Sequence, residues 1–393
     1  MSKFRNHAVC VALLLIPLLI GFLTGCAQMD AAAMQMGLKE SPYYHLGDTS
    51  WDNGGIEEYY FNQIPSGENE LYRELFERIR NNEDEASLYA RLPAEQFWDA
   101  YYAVLADHPE FFWIGSNIEV QESSLTGKVV SYRLSVTVPP EEREEMGLRL
   151  AAAADMIIGG IPEGADDYRK IKYVYEYLVN TTDYVVGSAC DQNAQSALLY
   201  HASVCAGYSR AFQYVLHRMG MFCTYVTGRT LDGGDHAWNI VRIGDQYYNV
   251  DVTWGDPVFT GDAEGEQHHA LYYNYLCCTD RELSGTHIVD SSVPMPACTD
   301  GSLDYYYLNG CYFETFDYET IYAMLMDSVY ALEPSVTFKF ADSSGYEAAA
   351  DALFSGGMLE DALHYLMRYY GVSSWDYRYT AQDQFRLITI YWT

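Results

Sequence analysis

Two segments rich in β-branched and aromatic residues, His236–Ile243 and Gln246–Trp254, are separated only by Gly244-Asp245. Glycine at the first of two loop positions takes the positive φ of a tight hairpin, so this stretch is committed to an antiparallel pair. The loop also sets the register. Pairing Ile243 with Gln246 places His236 opposite Thr253 and Trp238 opposite Asp251, and residues that face each other across a hairpin share one side of the sheet. His236 and Asp251 are then diagonal neighbours, roughly 7–8 Å apart at Cα and within side-chain reach. A slip of one residue would turn them to opposite faces. The expectation is an imidazole oriented by a carboxylate.

Upstream, Ser203-Val204-Cys205-Ala206-Gly207-Tyr208-Ser209-Arg210 runs into Phe212, Val215, Leu216 and Met219, which reads as a loop entering a helix that stops at Gly220. Cys205 falls at the helix start, where unsatisfied amides and the positive end of the macrodipole favour a thiolate. A cysteine beside small residues is ordinarily a buried core thiol; here a histidine and an aspartate on one sheet face supply what a nucleophile needs. His236 takes the proton of Cys205, Asp251 holds the ring tautomer, and the thiolate attacks an acyl carbon to form a thioester. The Cys205 amide and the side chain of Gln192 or Gln195 are candidate donors to the oxyanion. Tyr208 is a candidate to line the substrate cleft, and Trp238 and Trp254 are candidates to wall it or pack the core beneath it. His201 and His217 flank Cys205 and read as helix caps or surface decoration rather than bases. His268-His269, with Asp262, Glu264 and Glu266, read as a solvated acidic loop rather than a metal site. The expected site holds no metal.

The series Gln192-Asn193-Ala194, Val204-Cys205-Ala206-Gly207-Tyr208-Ser209, His236-Ala237-Trp238-Asn239 and Tyr248-Asn249-Val250-Asp251-Val252-Thr253-Trp254-Gly255-Asp256-Pro257 resembles the transglutaminase-like superfamily, in its bacterial surface-protein branch. The resemblance covers about residues 168–275. It implies an α+β fold with a papain-like core, the nucleophile helix packed on an antiparallel sheet, and Cys205, His236 and Asp251 as the triad, with no cofactor. Ala206 stands where an acidic residue is frequent in similar sequences.

The beginning of the chain reads as an address. Lys3 and Arg5 precede an apolar run, Ala8–Phe22, that ends in Leu23-Thr24-Gly25-Cys26. This ending resembles a bacterial lipobox, cut before Cys26, whose new N-terminus carries lipid; the competing reading is an uncleaved membrane helix. Either places the body outside the cytoplasm, held at the membrane. Cys190, Cys205, Cys223, Cys277, Cys278, Cys298 and Cys311 then remain of nine cysteines. An odd number leaves at least one thiol unpaired, and the sequence leaves the pairing open. The formal charge of −32, from 23 Lys plus Arg against 55 Asp plus Glu, repels phosphate backbones and excludes nucleic acid as a natural partner. The 37 tyrosines fill strands and half-buried surfaces.

Periodicity divides the chain into a signal (1–25), a tether (26–69), an α+β unit (70–140), the catalytic region (141–290) and a C-terminal α+β unit (300–393). Helices are expected from Glu70, where Leu71, Leu75, Phe76 and Ile79 recur at helical spacing, after Pro93, over Glu141–Ile158 and over Asp166–Val179. Strands are expected over Phe111–Val120 and Val129–Val138. The tail reads strand (Val336–Phe340), helix (Tyr346–Phe354), helix (Leu359–Tyr370), then strands at Trp375–Tyr379 and Phe385–Trp392. The expected protein is a lipid-anchored extracytoplasmic cysteine peptidase or amidase acting on a protein, peptide or peptidoglycan-linked substrate. Hydrolysis is favoured because a cross-linking transferase needs a site that excludes water. A transglutaminase, or a surface binding module that lost turnover, is the alternative.

Overall fold

The computed structural model describes residues 57–255 and 271–393, together with Met29 and Tyr43. The signal, Cys26, most of the tether, Asp256, Pro257 and the His268-His269 loop lie outside the described residues. The chain forms two compact units. Of the described residues, one comprises those up to Gly160 with Thr182–Val226 and Ser291–Met295; the other comprises those within Ile161–Thr181, Thr227–Asp290 and Pro296–Thr393.

In the first unit the expected helices span Asn69–Arg80, Ala94–Asp107 and Pro140–Gly159, with Leu71, Leu75, Phe76, Ile79, Phe97, Tyr101 and Val104 on their buried faces. Two buried carboxylates tie this unit together. Glu74 accepts from Arg78 at 2.8 Å and from the amides of Tyr89 and Ala90. Asp107 accepts from the amides of Tyr60 and Phe61 and from the Tyr72 hydroxyl, each at 2.9 Å. A three-stranded antiparallel sheet has the order Glu85–Ser87, Val129–Val136, Ile114–Glu122. The last of these starts three residues later than the aromatic run suggests, because Phe111 and Ile114 donate to the carbonyls of His108 and Phe111 in successive turns. The helix Cys205–Arg218 is anchored through its middle turns. Arg210 donates to the Leu105 carbonyl and Gln213 to that of Ala106 at 2.7 Å, so side chains of one helix satisfy carbonyls at the C-terminal end of another.

The second unit contains the predicted hairpin, Asp235–Ile243 with Gln246–Val250, in a five-stranded sheet ordered His287–Val289, Cys223–Thr230, Asp235–Ile243, Gln246–Val250, Leu276–Cys278. Ile243 pairs with Gln246 as expected, and Gly244 has φ 61°. The ladder stops at Asn239–Val250, so the expected pairs Trp238–Asp251 and His236–Thr253 do not form. At Asp251 the backbone leaves the hairpin: its amide donates to the Tyr275 carbonyl at 2.9 Å, and Thr253–Gly255 coils into a 3₁₀ turn. Helix Asp167–Thr181 supports that turn, with Tyr175 buried beneath it and donating to the Tyr272 carbonyl at 2.5 Å.

The C-terminal part of this unit is a four-stranded sheet ordered Tyr312–Phe313, Ser335–Phe340, Leu387–Trp392, Tyr377–Gln382, packed by helices Ser343–Ala350 and Met358–Tyr370. The helix Tyr318–Tyr330 was not expected. Its tyrosines and isoleucine favour strands by propensity, but Asp317 caps it through the Thr320 amide, and Ile321 and Leu325 enter the core with Phe338, Phe340, Ile388 and Ile390.

One close approach governs the edge of the five-stranded sheet. A Cβ added at Gly228 would meet the Ile288 carbonyl oxygen and the Trp238 ring at less than 3.0 Å. Glycine therefore sets how near the strand His287–Val289 lies, with Val289 paired to Gly228. Gly228→Ala is expected to lower stability by about 1–3 kcal/mol through overpacking, read as a lower urea midpoint. An unchanged midpoint would contradict this spacing.

Candidate active site

Cys205 is the first residue of its helix and is half-buried. Val204 precedes it in extended conformation (φ −112°, ψ 178°) and offers no side-chain cap. The approach to the helix is held by small polar groups. Ser203 lies 2.6 Å from Ser196 Oγ and 3.2 Å from the Asp191 carbonyl, and residues 202–203 pair in parallel with 183–184. A Cβ on Gly207 would collide with Ser196, Ser203 and the Asp191 carbonyl, so glycine lets the first helical turn settle on this loop. Tyr208 is buried and its hydroxyl donates to the Thr182 carbonyl, which makes it a core residue of this unit.

The two glutamine candidates differ. Gln192 is exposed, with Nε2 3.2 Å from Asp191 Oδ1. Gln195 is fully buried, and its Nε2 donates to the Phe112 carbonyl at 2.8 Å. Tyr225 had no place in the sequence reading: burial raises its phenol, Arg210 lies 4.6 Å from its ring centroid and opposes that shift, and Cys205 is within electrostatic reach. His217 is buried with Nε2 2.8 Å from the Cys223 carbonyl, a structural contact. No disulfide forms among the seven described cysteines. Burial pushes the thiols of Cys277, Cys278, Cys298 and Cys311 upward and keeps them protonated.

In the second unit, His236 and Asp251 meet: Nε2 lies 2.6 Å from Asp251 Oδ2. Asp251 has no solvent exposure. Its second oxygen accepts the Trp254 amide at 3.2 Å, and Oδ2 also accepts from His287 Nε2 at 2.9 Å. Burial by itself would raise the Asp251 carboxyl, but the charge and hydrogen bonds of His236 and the hydrogen bond of His287 outweigh it and hold the group well below the usual carboxylate range. The His236 ring stacks on Trp238 at 6.2 Å and tilts against Trp254 at 5.9 Å. Trp238 is fully buried and donates from Nε1 to Asn249 Oδ1 at 3.1 Å, so it packs beneath the imidazole; Trp254 is half-buried beside it.

His287 escaped the sequence reading because it stands 36 residues from Asp251, in no motif, on a three-residue edge strand. His236, Asp251 and His287 bring one ligand-type atom each within 4.8 Å of one another. Both nitrogens point at one oxygen at hydrogen-bond separations, which is the arrangement of a proton-linked relay rather than of donors spread around a cation.

Residues 156–252 match the model of the Transglutaminase-like superfamily. That stretch of the chain resembles a transglutaminase-like domain, within a fold of α+β class. It is 25% and 24% identical over 111 residues to kyphoscoliosis peptidase of Mus musculus and of Homo sapiens. Each match covers 24% of this chain and only 17% of the relative. Among solved structures, a TGase matches at 14% identity over 52% of this chain and 51% of that one, with a TM-score of 0.25. A protein of Cytophaga hutchinsonii described as a candidate cysteine protease matches at 16% identity over 35% and 61%, also at 0.25.

The lowered Asp251 carboxyl has a consequence for stability. Its folded-state value lies below that of the unfolded chain, about 3.9, so its contribution is present above that pH and is lost on acidification below it. The stability gap between the wild type and Asp251→Asn is expected to shrink between about pH 5 and pH 2 in urea titrations. A gap independent of pH would show that Asp251 titrates normally.

Proposed function

We propose that this protein is a cysteine acyl-transfer enzyme that hydrolyses peptide or amide bonds, with Cys205 as nucleophile, His236 as general base and acid, and Asp251 as the orienting carboxylate. The observation that carries the reading is the 2.6 Å contact between His236 Nε2 and Asp251 Oδ2 in a segment that matches the transglutaminase-like superfamily. With Nε2 engaged by the carboxylate, Nδ1 is the atom that exchanges a proton with Cys205. The thiolate adds to the acyl carbon and the C–N bond breaks as His236 delivers its proton to the departing amine. Water, deprotonated by the same ring, then cleaves the thioester and restores the thiol. The half-buried position of Cys205 favours water over an amine as the acceptor.

The setting in this proposal is extracytoplasmic. Lys3, Arg5, the apolar run Ala8–Phe22 and Leu23-Thr24-Gly25-Cys26 support export followed by lipid attachment at Cys26. A substrate at the cell surface, protein or peptidoglycan peptide, follows from that location, and the strongly acidic chain argues against nucleic acid.

Incubation with cell-surface extract and a labelled primary amine, followed by mass spectrometry, tests the chemistry. An acyl adduct on Cys205, release of new carboxylate ends and a loss of at least about 10³-fold in Cys205→Ala are expected. Amine incorporation that outruns hydrolysis would make the protein a cross-linking transferase. Absence of both an adduct and any difference from Cys205→Ala would leave a binding module.

A further inference from the structure

We propose that His287 is a positioning residue for the Asp251–His236 pair, so that the carboxylate works between two imidazoles. This rests on the acyl-transfer reading given above and extends the relay by one member.

Asp251 Oδ2 accepts from both His236 Nε2 and His287 Nε2, and all three side chains are buried. A carboxylate without water can only accept, so each donor it receives fixes its rotamer and spreads its charge. His287 is itself held. Its Nδ1 lies 2.7 Å from Thr286 Oγ1, and that hydroxyl also lies 3.2 Å from the Leu283 carbonyl. A hydroxyl has one proton. If it points away from the ring, to the carbonyl or to the Tyr275 hydroxyl, Nδ1 must donate to the oxygen and the ring carries protons on both nitrogens. If it turns to Nδ1, the ring is neutral with its proton on Nε2. In either arrangement Nε2 keeps the proton that faces Asp251, so the donor survives a change in the charge of the ring. Backbone pairing of His287 with Thr230 and a cage of Trp254 at 4.7 Å, Trp238 at 5.2 Å and Tyr275 at 5.6 Å leave the ring little freedom. The titratable groups facing it are Asp251, His236 at 5.0 Å between ring centroids, and Tyr275.

Removing the His287 donor leaves Oδ2 with a buried, unanswered lone pair and a more basic carboxylate. That carboxylate reorients and grips the His236 imidazolium more tightly. His287→Leu is therefore expected to lower kcat roughly 10–100-fold, the range seen when an outer partner of a functional histidine is lost, with KM nearly unchanged. It should also raise the pH midpoint of the His236 ring in nitrogen NMR titrations. His287→Gln, which keeps an N–H donor, should recover most of both.

Three results would overturn the proposal. One is a folded His287→Leu protein with wild-type kcat and an unmoved His236 midpoint. Another is equal losses in the Leu and Gln variants with the midpoint unmoved, which would mark His287 as a packing residue only. The third needs no His287 variant: the NMR tautomer of His287 in the wild-type chain should be Nε2–H, and a ring protonated on Nδ1 alone refutes the arrangement even if His287→Leu does not fold. The titrations are repeated in Cys205→Ala, so that a moved midpoint without any thiol-dependent turnover would sink the acyl-transfer reading and leave the positioning intact.

Discussion

A charged carboxylate with no access to water is the constraint around which the second unit is built. Burying Asp251 is unfavourable unless its oxygens are filled, and three donors fill them: two imidazoles and the Trp254 amide. These come from a hairpin strand, an edge strand and a 3₁₀ turn. The close strand spacing at Gly228, the stop in the ladder after Val250 and the turn packed over Tyr175 serve the same outcome. Each brings a donor to a carboxylate that cannot move toward it.

The first unit solves a related problem for the helix that begins at Cys205. Here the donors are two glutamine amides and one guanidinium, and the partners are backbone carbonyls. Gln195, Arg210 and Gln213 reach the carbonyls of Phe112, Leu105 and Ala106, and the serine pair beneath Gly207 fixes the loop from which Cys205 emerges. A helix end placed by such directional bonds is held in both position and rotation, which hydrophobic contact alone specifies poorly.

Much of this was legible in local pattern. The glycine-first loop set the hairpin register, because a two-residue turn permits one pairing, and the loop-to-helix transition at Cys205 followed from small residues leading into a helical repeat. The extrapolated pairs beyond Val250 failed, since the Asp251 amide found the Tyr275 carbonyl instead of continuing the ladder. The helix Tyr318–Tyr330 was missed because its residues favour strands by propensity, and only the Asp317 cap and burial of Ile321 and Leu325 against a distant sheet make it helical. Gln195 looked available as an amide donor, yet its nitrogen is occupied by a carbonyl 83 residues away.

By itself the sequence determined which chemistry is within reach: a cysteine at a helix start, and a histidine and an aspartate brought near each other by one tight hairpin. These follow from short-range periodicity and turn geometry, which depend on neighbours in the chain. What the tertiary structure decided is the company those groups keep. His287 joins Asp251, Trp238 slides beneath the imidazole, and Tyr208 turns into the core, because burial and hydrogen bonding act between residues that are remote in sequence and adjacent only once the sheet is assembled.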